Sequence, residues 1–230
     1  MGGRKWPHAG SGSCSQILDV REPWRVERVD LDQKAGEVNV HLTHESGLKW
    51  PCPECGEACT LYAHEEMRRW RHLDTCQLRT ILNAEPPRTQ CSTYGVRAVK
   101  LPWAELGSRF TAMFERLAID WLGAASQSAV DERLGLSWDE VHGIMDRAVR
   151  RGLPRRKAKA SAHLGVDEKS FTRGHHYFTL VNDLDRGRVL FVGEHRTTET
   201  LDEFWSSLIA DQIDVVEALA MDMWDSTQMP

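Results

Sequence analysis

The chain has 230 residues, of which 41% are hydrophobic and 27% are charged, and its net charge is −5. This length and composition predict an ordinary soluble protein with more than one folded unit. No apolar run is long enough to span a membrane, and the opening residues lack the apolar centre of a signal peptide, so a cytoplasmic protein is expected. The acidic net charge excludes a uniformly basic nucleic-acid-binding protein.

Residues 1–16 are expected to form a disordered tail, and residues 17–106 a small β-rich domain. From Trp24 to Leu42, apolar and polar residues alternate on both sides of a QKAG segment, and this alternation predicts a β-hairpin. Further strands are expected in the segment QLRTILNA and directly after CSTYG. The resulting domain would have a cysteine-containing turn at each end.

The cysteines in these two turns indicate a zinc site of the zinc-finger type. Cys52 and Cys55 form a CPEC motif, whose two-residue gap lets both thiolates bind one tetrahedral ion. The second turn offers Cys91, but the residue three positions later is Tyr94, which is a poor zinc ligand. The sequence therefore predicts a structural Zn²⁺ site with three thiolate ligands and an unassigned fourth position.

Two questions about this zinc site stay open at the level of sequence. Three residues outside the paired positions have suitable donor atoms, although none has a typical spacing: Cys59, His64 and Cys76. Without zinc, the same turns would form a degenerate knuckle that is held by the packing of apolar side chains: Trp50, Trp70 and Leu73.

Residues 107–153 are predicted to form a helical DNA-binding domain. The segment FTAMFERLAIDWL has apolar residues at helical spacing, and two helices joined by a tight turn follow it. Ser126 or Ser128 can cap the first of these two helices, and Gly135 ends it. Ser137 caps the second helix and begins a capping box. The pattern is typical of a helix-turn-helix, although ordinary helical hairpins share it.

In a helix-turn-helix, the second helix lies in the DNA major groove while flanking cations contact phosphates. Base recognition is expected from residues near the start of that helix: Trp138, Asp139 and His142. Phosphate contacts are expected from the cations that end the helix and continue into a basic linker at residues 154–162: Arg150, Arg151, Arg155, Arg156 and Lys157. These cations favour double-stranded DNA as the partner over a merely solvated surface.

Residues 163–230 are predicted to begin a ribonuclease H-like domain. Their pattern indicates three antiparallel strands, an amphipathic helix and a further parallel strand. The first and last of these strands are expected to end in the acids Asp167 and Asp222, at adjacent strand ends. Carboxylates bind hard cations such as Mg²⁺, and two such ions about 3.5 to 4 Å apart can promote in-line displacement at a phosphodiester. The expected fold class is thus a multidomain α+β protein.

Several long motifs resemble the ISL-three family of bacterial insertion-sequence transposases: WRHLDTCQLRT, LPWAELGSRFT, RLGLSWDEVHGIMDRAVRRGL, HLGVDEKSFTRGHHYFTLVNDLDRGRVLFV and AMDMWD. The resemblance implies a DDE enzyme with a zinc-binding region, a helix-turn-helix and a ribonuclease H-like catalytic domain. It also implies binding to the element's terminal inverted repeats, a homodimer, and Mg²⁺-dependent DNA cleavage and strand transfer. By the same resemblance, Asp167 is the first catalytic acid and Asp222 the second.

The sequence departs from this family at two places. Family members have Cys or His at the position of Tyr94, and the family's third acid, a Glu on a helix well beyond Asp222, has no counterpart before Pro230. These departures predict a transposase fragment with a truncated catalytic domain. The alternative function is a catalytically inactive DNA-binding fragment that represses or competes with the full-length transposase. A zinc-knuckle interaction protein without a DNA role is disfavoured by the cations after the helix-turn-helix.

Overall fold

The computed structural model describes three stretches of the chain: residues 15–155, 161–172 and 176–221. The chain divides into two compact units between Pro154 and Arg155. Most of the predicted tail and three predicted site residues lie outside the described stretches: residues 1–14, Arg156, Lys157 and Asp222. Within those stretches no helix combines the length and the apolar character that crossing a membrane requires.

The first unit begins with a helical turn that the sequence assigns to the tail. Ser15 and Gln16 belong to this turn, and the Ser15 carbonyl accepts a 2.8 Å hydrogen bond from the Val20 amide. The turn is held because Leu18 and Val20, which follow it, are buried in the hydrophobic core of the unit. Residues 15 and 16, which the sequence assigns to the tail, therefore belong to the first folded unit.

A four-stranded sheet follows, and its strands are β1 (Trp24–Asp32), β2 (Glu37–His44), β5 (Arg68–Thr75) and β6 (Leu78–Ala84). The strand order is β1-β2-β6-β5. β1 and β2 form the antiparallel hairpin that the alternating pattern predicts, with Gly36 at φ +66° in the turn. β2 runs parallel to β6, which pairs antiparallel with β5.

A second sheet contains β3 (Trp50–Pro51), β4 (Ala58–His64), β7 (Pro87–Cys91) and β8 (Gly95–Ala98), in the order β3-β4-β7-β8. All its strand pairs are antiparallel. The turn from β3 to β4 carries Cys52 and Cys55, and the turn from β7 to β8 starts at Cys91. Because β4 and β7 are antiparallel neighbours, both cysteine-containing turns lie at the same end of the sheet.

Four indole rings form the aromatic centre of the hydrophobic core that spans these strands: Trp24, Trp50, Trp70 and Trp103. Trp103 makes edge-to-face contacts with Trp24 and Trp70, at centroid distances of 4.8 and 5.6 Å. This geometry is the one that aromatic quadrupoles favour. Since Trp103 precedes the helices in sequence, the core fixes the start of the helical region against the sheets.

Three helices follow in the first unit: α1 (Ala112–Leu122), α2 (Gln127–Leu134) and α3 (Trp138–Gly152). A short 3₁₀ turn at residues 153–155 extends α3. Phe110, Phe114, Ala118 and Ile144 form the buried cluster between α1 and α3. The predicted helical spacing of this region is therefore confirmed, with its buried face centred on Phe114.

The predicted caps of the helix-turn-helix are confirmed in detail. The Ser126 hydroxyl accepts from the Ala129 amide at the start of α2, and Gly135 ends α2 in the left-handed region at φ +62°. At the start of α3, Ser137 and Glu140 form the reciprocal capping box. These contacts fix the turn between α2 and α3, because they satisfy backbone groups that the helix ends leave free.

The second unit has a four-stranded sheet of β9 (His163–Thr172), β10 (His176–Asp183), β11 (Arg188–Glu194) and β12 (Ala218–Met221). Between β11 and β12 lie α4 (Thr198–Ser206) and the short α5 (Ala210–Ile213). The strand order is β11-β10-β9-β12, in which only β12 runs parallel to its neighbour β9 within the described residues. Three antiparallel strands, a helix and a parallel strand are thus observed as predicted.

The core of the second unit lies between one face of this sheet and α4. Leu201 and Phe204 of α4 are buried against Leu164, Val166 and Val181 of the sheet. This packing follows from the period-two burial along β9 and the helical spacing in α4. The ribonuclease H-like classification of the unit remains a prediction.

The prediction that the first strand of this unit ends at Asp167 is wrong. β9 continues to Thr172, because the residues after Asp167 stay in the ladder with β10 and pair, for example, Lys169 with Phe178. Asp167 therefore lies in the middle of β9, beside the described end of β12.

Candidate DNA-binding and metal sites

The helix α3 has one buried face and one exposed face. Val141 and Ile144 have no exposed surface and hold the inner face against the rest of the unit. Trp138 is 59% exposed on the outer face, and its ring stacks on that of His142 with an interplanar angle of 5°. This contact follows from their i,i+4 spacing. Together with the exposed Asp139, the predicted base-contacting residues therefore share one solvent-facing surface.

The cations at the end of α3 differ in their surroundings. The Arg150 side chain is 70% exposed and forms an ion pair with Asp146 one turn earlier. Arg155 is also exposed, in the 3₁₀ turn that follows α3. Both guanidinium groups are accessible from solvent, and the Arg150 ion pair is weak because it is exposed. Arg156 and Lys157 lie outside the described residues.

Arg151 is engaged in ion pairs with two acids from other parts of the first unit. Its Nη1 atom donates to Glu105 at 2.5 Å and to Glu115 at 2.9 Å. Burial lowers the pKa of the Arg151 guanidinium, but hydrogen bonds to both carboxylates outweigh that effect and raise the pKa above its usual value. The Arg151 side chain, which is 32% exposed, is thus paired with two acids and is less available to a phosphate than that of Arg150.

Glu115 is the centre of this network and is absent from the predictions made from sequence. It is 1% exposed in α1, and its carboxylate accepts from the Ser108 hydroxyl at 2.8 Å and from Arg147 Nε at 2.7 Å, in addition to Arg151. A buried carboxylate is tolerated only when such partners satisfy it. The network therefore joins α1 directly to α3.

Three cysteine sulfur atoms come together where the two turns meet. The Sγ atoms of Cys52, Cys55 and Cys91 all lie within 4.8 Å of one another, and those of Cys55 and Cys91 are 3.7 Å apart. A tetrahedral site with Zn–S bonds of about 2.3 Å has sulfur atoms about 3.8 Å apart. The sulfur spacing therefore fits a zinc ion.

Both turns also have the backbone form of a zinc knuckle. In the first turn, the Gly56 amide donates to the Cys52 carbonyl at 2.9 Å, and Gly56 has φ +78°. In the second, Gly95 has φ +69°, and the Tyr94 backbone N–H lowers the pKa of the Cys91 thiol to about 7 against the raising effect of burial. Backbone N–H groups that point at a sulfur favour the thiolate, which is the form that binds zinc.

The three substitutes for the fourth zinc ligand occupy different places. Cys59 is 6% exposed and belongs to the same buried cluster as Cys52 and Cys91. His64 Nε2 lies 2.9 Å from His44 Nε2 in an exposed pair. Cys76 is exposed in the turn between β5 and β6. Of these three, the structure brings Cys59 to the cysteine cluster.

Of the two acids predicted to bind metal in the second unit, Asp167 lies on β9. The Asp167 side chain is 55% exposed, and its carboxylate is 4.0 Å from Lys169 Nζ. The ladder aligns Val166 with Met221, the last described residue of β12. Asp222 follows Met221 in the sequence and lies outside the described residues. The structure therefore places Asp167 beside the described end of β12.

Three family profiles match the chain in succession. Residues 49–93 match the zinc finger of transposase IS204/IS1001/IS1096/IS1165, and residues 99–149 match the helix-turn-helix domain of transposase family ISL3. Residues 164–228 match the transposase domain of the same family. The chain belongs to the ISL3 transposase family. The resemblance seen in the sequence motifs is thereby confirmed.

Curated relatives of this ISL3 chain are named as transposases. The transposase for insertion sequence element IS1557 of Mycobacterium tuberculosis is 32% identical over 216 residues, which are 91% of this chain and 48% of the relative. The transposase for IS1001 of Bordetella parapertussis is 26% identical over 199 residues, which are 86% of this chain and 49% of the relative. The chain spans about half the length of these relatives. No solved structure matches the chain.

The ISL3 domains coincide with the structural elements that carry the candidate sites. The zinc-finger match contains all three clustered cysteines, and the helix-turn-helix match contains α1, α2 and most of α3. The transposase-domain match contains Asp167. This chain therefore has its zinc-finger and helix-turn-helix matches in the first unit and its transposase-domain match in the second.

Proposed function

We propose that this ISL3 chain binds the terminal inverted repeats of an insertion sequence, in the cytoplasm, with α3 in the major groove of duplex DNA. The observation that carries the proposal is the outer face of α3. Near the N-terminus of α3, Trp138 and His142 stack on each other on this face. Trp138 is exposed, while Val141 and Ile144 are buried and fix the inner face of the helix against the rest of the unit. A rigid helix with an exposed, mixed polar and aromatic surface fits the docking geometry of a helix-turn-helix.

Phosphate contacts in this complex come from the exposed cations at the end of α3. Arg150 and Arg155 are the described members of that group, and Arg156 and Lys157 continue it in the sequence. Arg151 is left out, because its guanidinium is held by Glu105 and Glu115. Two copies of the chain, one at each inverted repeat, would form the homodimer that the symmetry of such DNA favours.

The zinc-finger domain is proposed to hold one structural Zn²⁺ through Cys52, Cys55 and Cys91. The sulfur spacing of 3.7 Å and the backbone N–H groups around Cys91 support this assignment. Zinc would fix the two turns relative to each other, since a domain this small gains much of its stability from its metal.

Asp167 and Asp222 are proposed as two of the carboxylates that hold Mg²⁺ in the complete transposase. Support comes from the half-exposed Asp167 carboxylate and from the register that brings the end of β12 beside it. Bound Mg²⁺ would stabilise the charge that develops on a phosphodiester during cleavage and strand transfer. The residues of this chain would bind and orient the ion.

Sequence-specific DNA binding by the full chain tests the proposed function. Fluorescence anisotropy would compare a duplex with the element's terminal repeat and a duplex of the same composition with a scrambled repeat. We expect tighter binding to the repeat, by more than about tenfold. The double variant Trp138→Ala/His142→Ala should reduce this preference, because each lost base contact costs about 1–3 kcal/mol.

The matched control for this test is Tyr62→Ala. Tyr62 is also 59% exposed but lies on β4, away from the helix-turn-helix in the sequence. Its removal should leave the preference for the repeat unchanged. Equal affinity of the wild-type chain for the two duplexes would contradict the proposal, as would an equal effect of the α3 variant and the Tyr62 variant.

A further inference from the structure

The second zinc knuckle keeps its turn but lacks one sulfur atom. Tyr94 stands at the position where a paired cysteine would complete the knuckle, and Gly95 still has the left-handed conformation at φ +69°. The Tyr94 side chain is 43% exposed. Structural zinc sites take thiolate and imidazole ligands, and a phenol is a poor substitute for either. The proposed zinc site is therefore one strong ligand short of the usual four.

Cys59 lies beside this incomplete knuckle because of the strand pairing. In the ladder between β3 and β4, Cys59 is directly opposite Trp50, and Cys52 lies two residues beyond Trp50. β4 is also the neighbour of β7, which ends at Cys91. The strand order thus brings a fourth cysteine, distant in sequence from Cys91, to the end of the sheet that holds the other three.

The position of the Cys59 sulfur fits a role as a ligand. Cys59 forms a buried cluster with Cys52 and Cys91, and its Sγ lies within 4.8 Å of Cys91 Sγ. The sulfur separation in a tetrahedral site is about 3.8 Å, so the distance between the Cys59 and Cys91 sulfur atoms needs to close by about 1 Å or less. Cys59 Sγ does not lie within 4.8 Å of both Cys52 Sγ and Cys55 Sγ, so zinc binding also requires it to move toward these two atoms. Its thiol donates to the Glu57 carbonyl at 3.3 Å, and rotation about a single torsion redirects it.

Glu57 is the competing donor at this place. Its carboxylate lies within 4.8 Å of the sulfur atoms of Cys59 and Cys91. Glu57 is exposed, however, and it accepts a hydrogen bond from the Ser92 hydroxyl at 3.4 Å. Structural zinc sites are built mainly from buried Cys and His ligands. The buried thiol is therefore the better fourth ligand.

We propose that Cys59 replaces the missing cysteine of the second knuckle, so that Zn²⁺ is held by Cys52, Cys55, Cys59 and Cys91. This inference rests on the zinc site proposed above and assigns its fourth ligand. It differs from the two-knuckle pattern, since two ligands come from the turn between β3 and β4, one from β4 itself and one from the end of β7.

Cobalt substitution of the full chain tests this assignment, because thiolate-to-Co²⁺ charge-transfer absorption increases with the number of bound thiolates. In Cys59→Ser, we expect this absorption to fall by about a quarter, since one of four thiolates is lost. Zinc affinity, measured by competition with a chelator, should fall more than about tenfold. Mutation of residues that only hydrogen-bond to metal ligands already lowers metal affinity by about that factor, and loss of a ligand itself should lower it further. Cys76→Ser, at an exposed cysteine in another turn, should change neither quantity.

A rescue variant separates ligand loss from misfolding. Adding Tyr94→Cys to Cys59→Ser restores the two-residue spacing of the second knuckle and should return the charge-transfer intensity and the zinc affinity to wild-type values. An unchanged cobalt spectrum in Cys59→Ser would overturn the assignment, and so would a loss of affinity in Glu57→Gln that equals the loss in Cys59→Ser. If the wild-type chain binds neither metal, the zinc site itself fails, and the assignment of Cys59 fails with it.

Discussion

Two neighbouring acids on β9 have different surroundings although they are adjacent in sequence. The Asp167 side chain is 55% exposed, whereas the Glu168 side chain is 16% exposed and lies 3.4 Å from Arg196 Nε. Side chains alternate between the two faces of a strand, so the two carboxylates point to opposite faces of the sheet. Asp167 is thus open to a cation, while Glu168 is engaged with a guanidinium on the other face.

Manganese-induced broadening of amide NMR signals distinguishes these two acids. In the full chain, Mn²⁺ should broaden signals of β9 around Asp167, because carboxylate oxygens are preferred ligands for such ions. Asp167→Asn should remove this broadening, whereas Glu168→Gln should keep it. Broadening that survives in the Asp167 variant and disappears in the Glu168 variant would assign the ion to the opposite face and contradict the proposed site.

At the scale of secondary-structure elements, α1 and α3 are joined by a buried ion-pair network. Glu115 of α1 accepts from Arg147 and Arg151 of α3, which lie 32 and 36 residues later in the sequence. The orientation of the proposed DNA-binding helix therefore depends on a carboxylate that is buried in the first unit. Removing that carboxylate leaves two cations without their buried partner.

Glu115→Ala should lower the free energy of unfolding by about 3 kcal/mol. Removal of one partner of a buried ion pair costs about 3–5 kcal/mol. We expect a loss at the lower limit of this range, because the side chains of Arg147 and Arg151 are partly exposed to water. Urea unfolding monitored by tryptophan fluorescence measures the loss. The control is Glu132→Ala, an exposed acid on α2, whose effect should stay within about 0.5 kcal/mol. Equal free energies of unfolding for the two variants would show that the ion-pair network does not stabilise the packing of α1 against α3.

The contrast between the helix caps and this network shows what sequence can predict at the scale of elements. The capping box of Ser137 and Glu140 spans four consecutive residues, so the local sequence is sufficient to predict it. The burial of Glu115 depends on partners that only the packing of α1 against α3 brings near. For the same reason the end of β9 was not predictable, because its extension to Thr172 depends on pairing with β10.

At the scale of the whole molecule, the order of domains was predictable and their internal contacts were not. Motif spacing is sufficient to predict a zinc-finger domain and a helix-turn-helix, the resemblance to the family implies a transposase domain after them, and the family matches follow that order. The approach of Cys59 to Cys91 arises instead from the pairing of β4 with β7. Likewise, the difference between Arg151 and the exposed Arg150 needs the folded positions of Glu105 and Glu115.

The salt dependence of DNA binding tests most directly the central claim that α3 and the exposed cations at its end hold duplex DNA. The full chain and the variant Arg150→Gln/Arg155→Gln would be titrated with terminal-repeat DNA at several salt concentrations. The slope of log K against log salt should become shallower by about 1.8 in the double variant, since each phosphate contact contributes about 0.9. Arg151→Gln should lower stability and leave the slope unchanged. Wild-type affinity and an unaltered slope in the double variant would contradict the account.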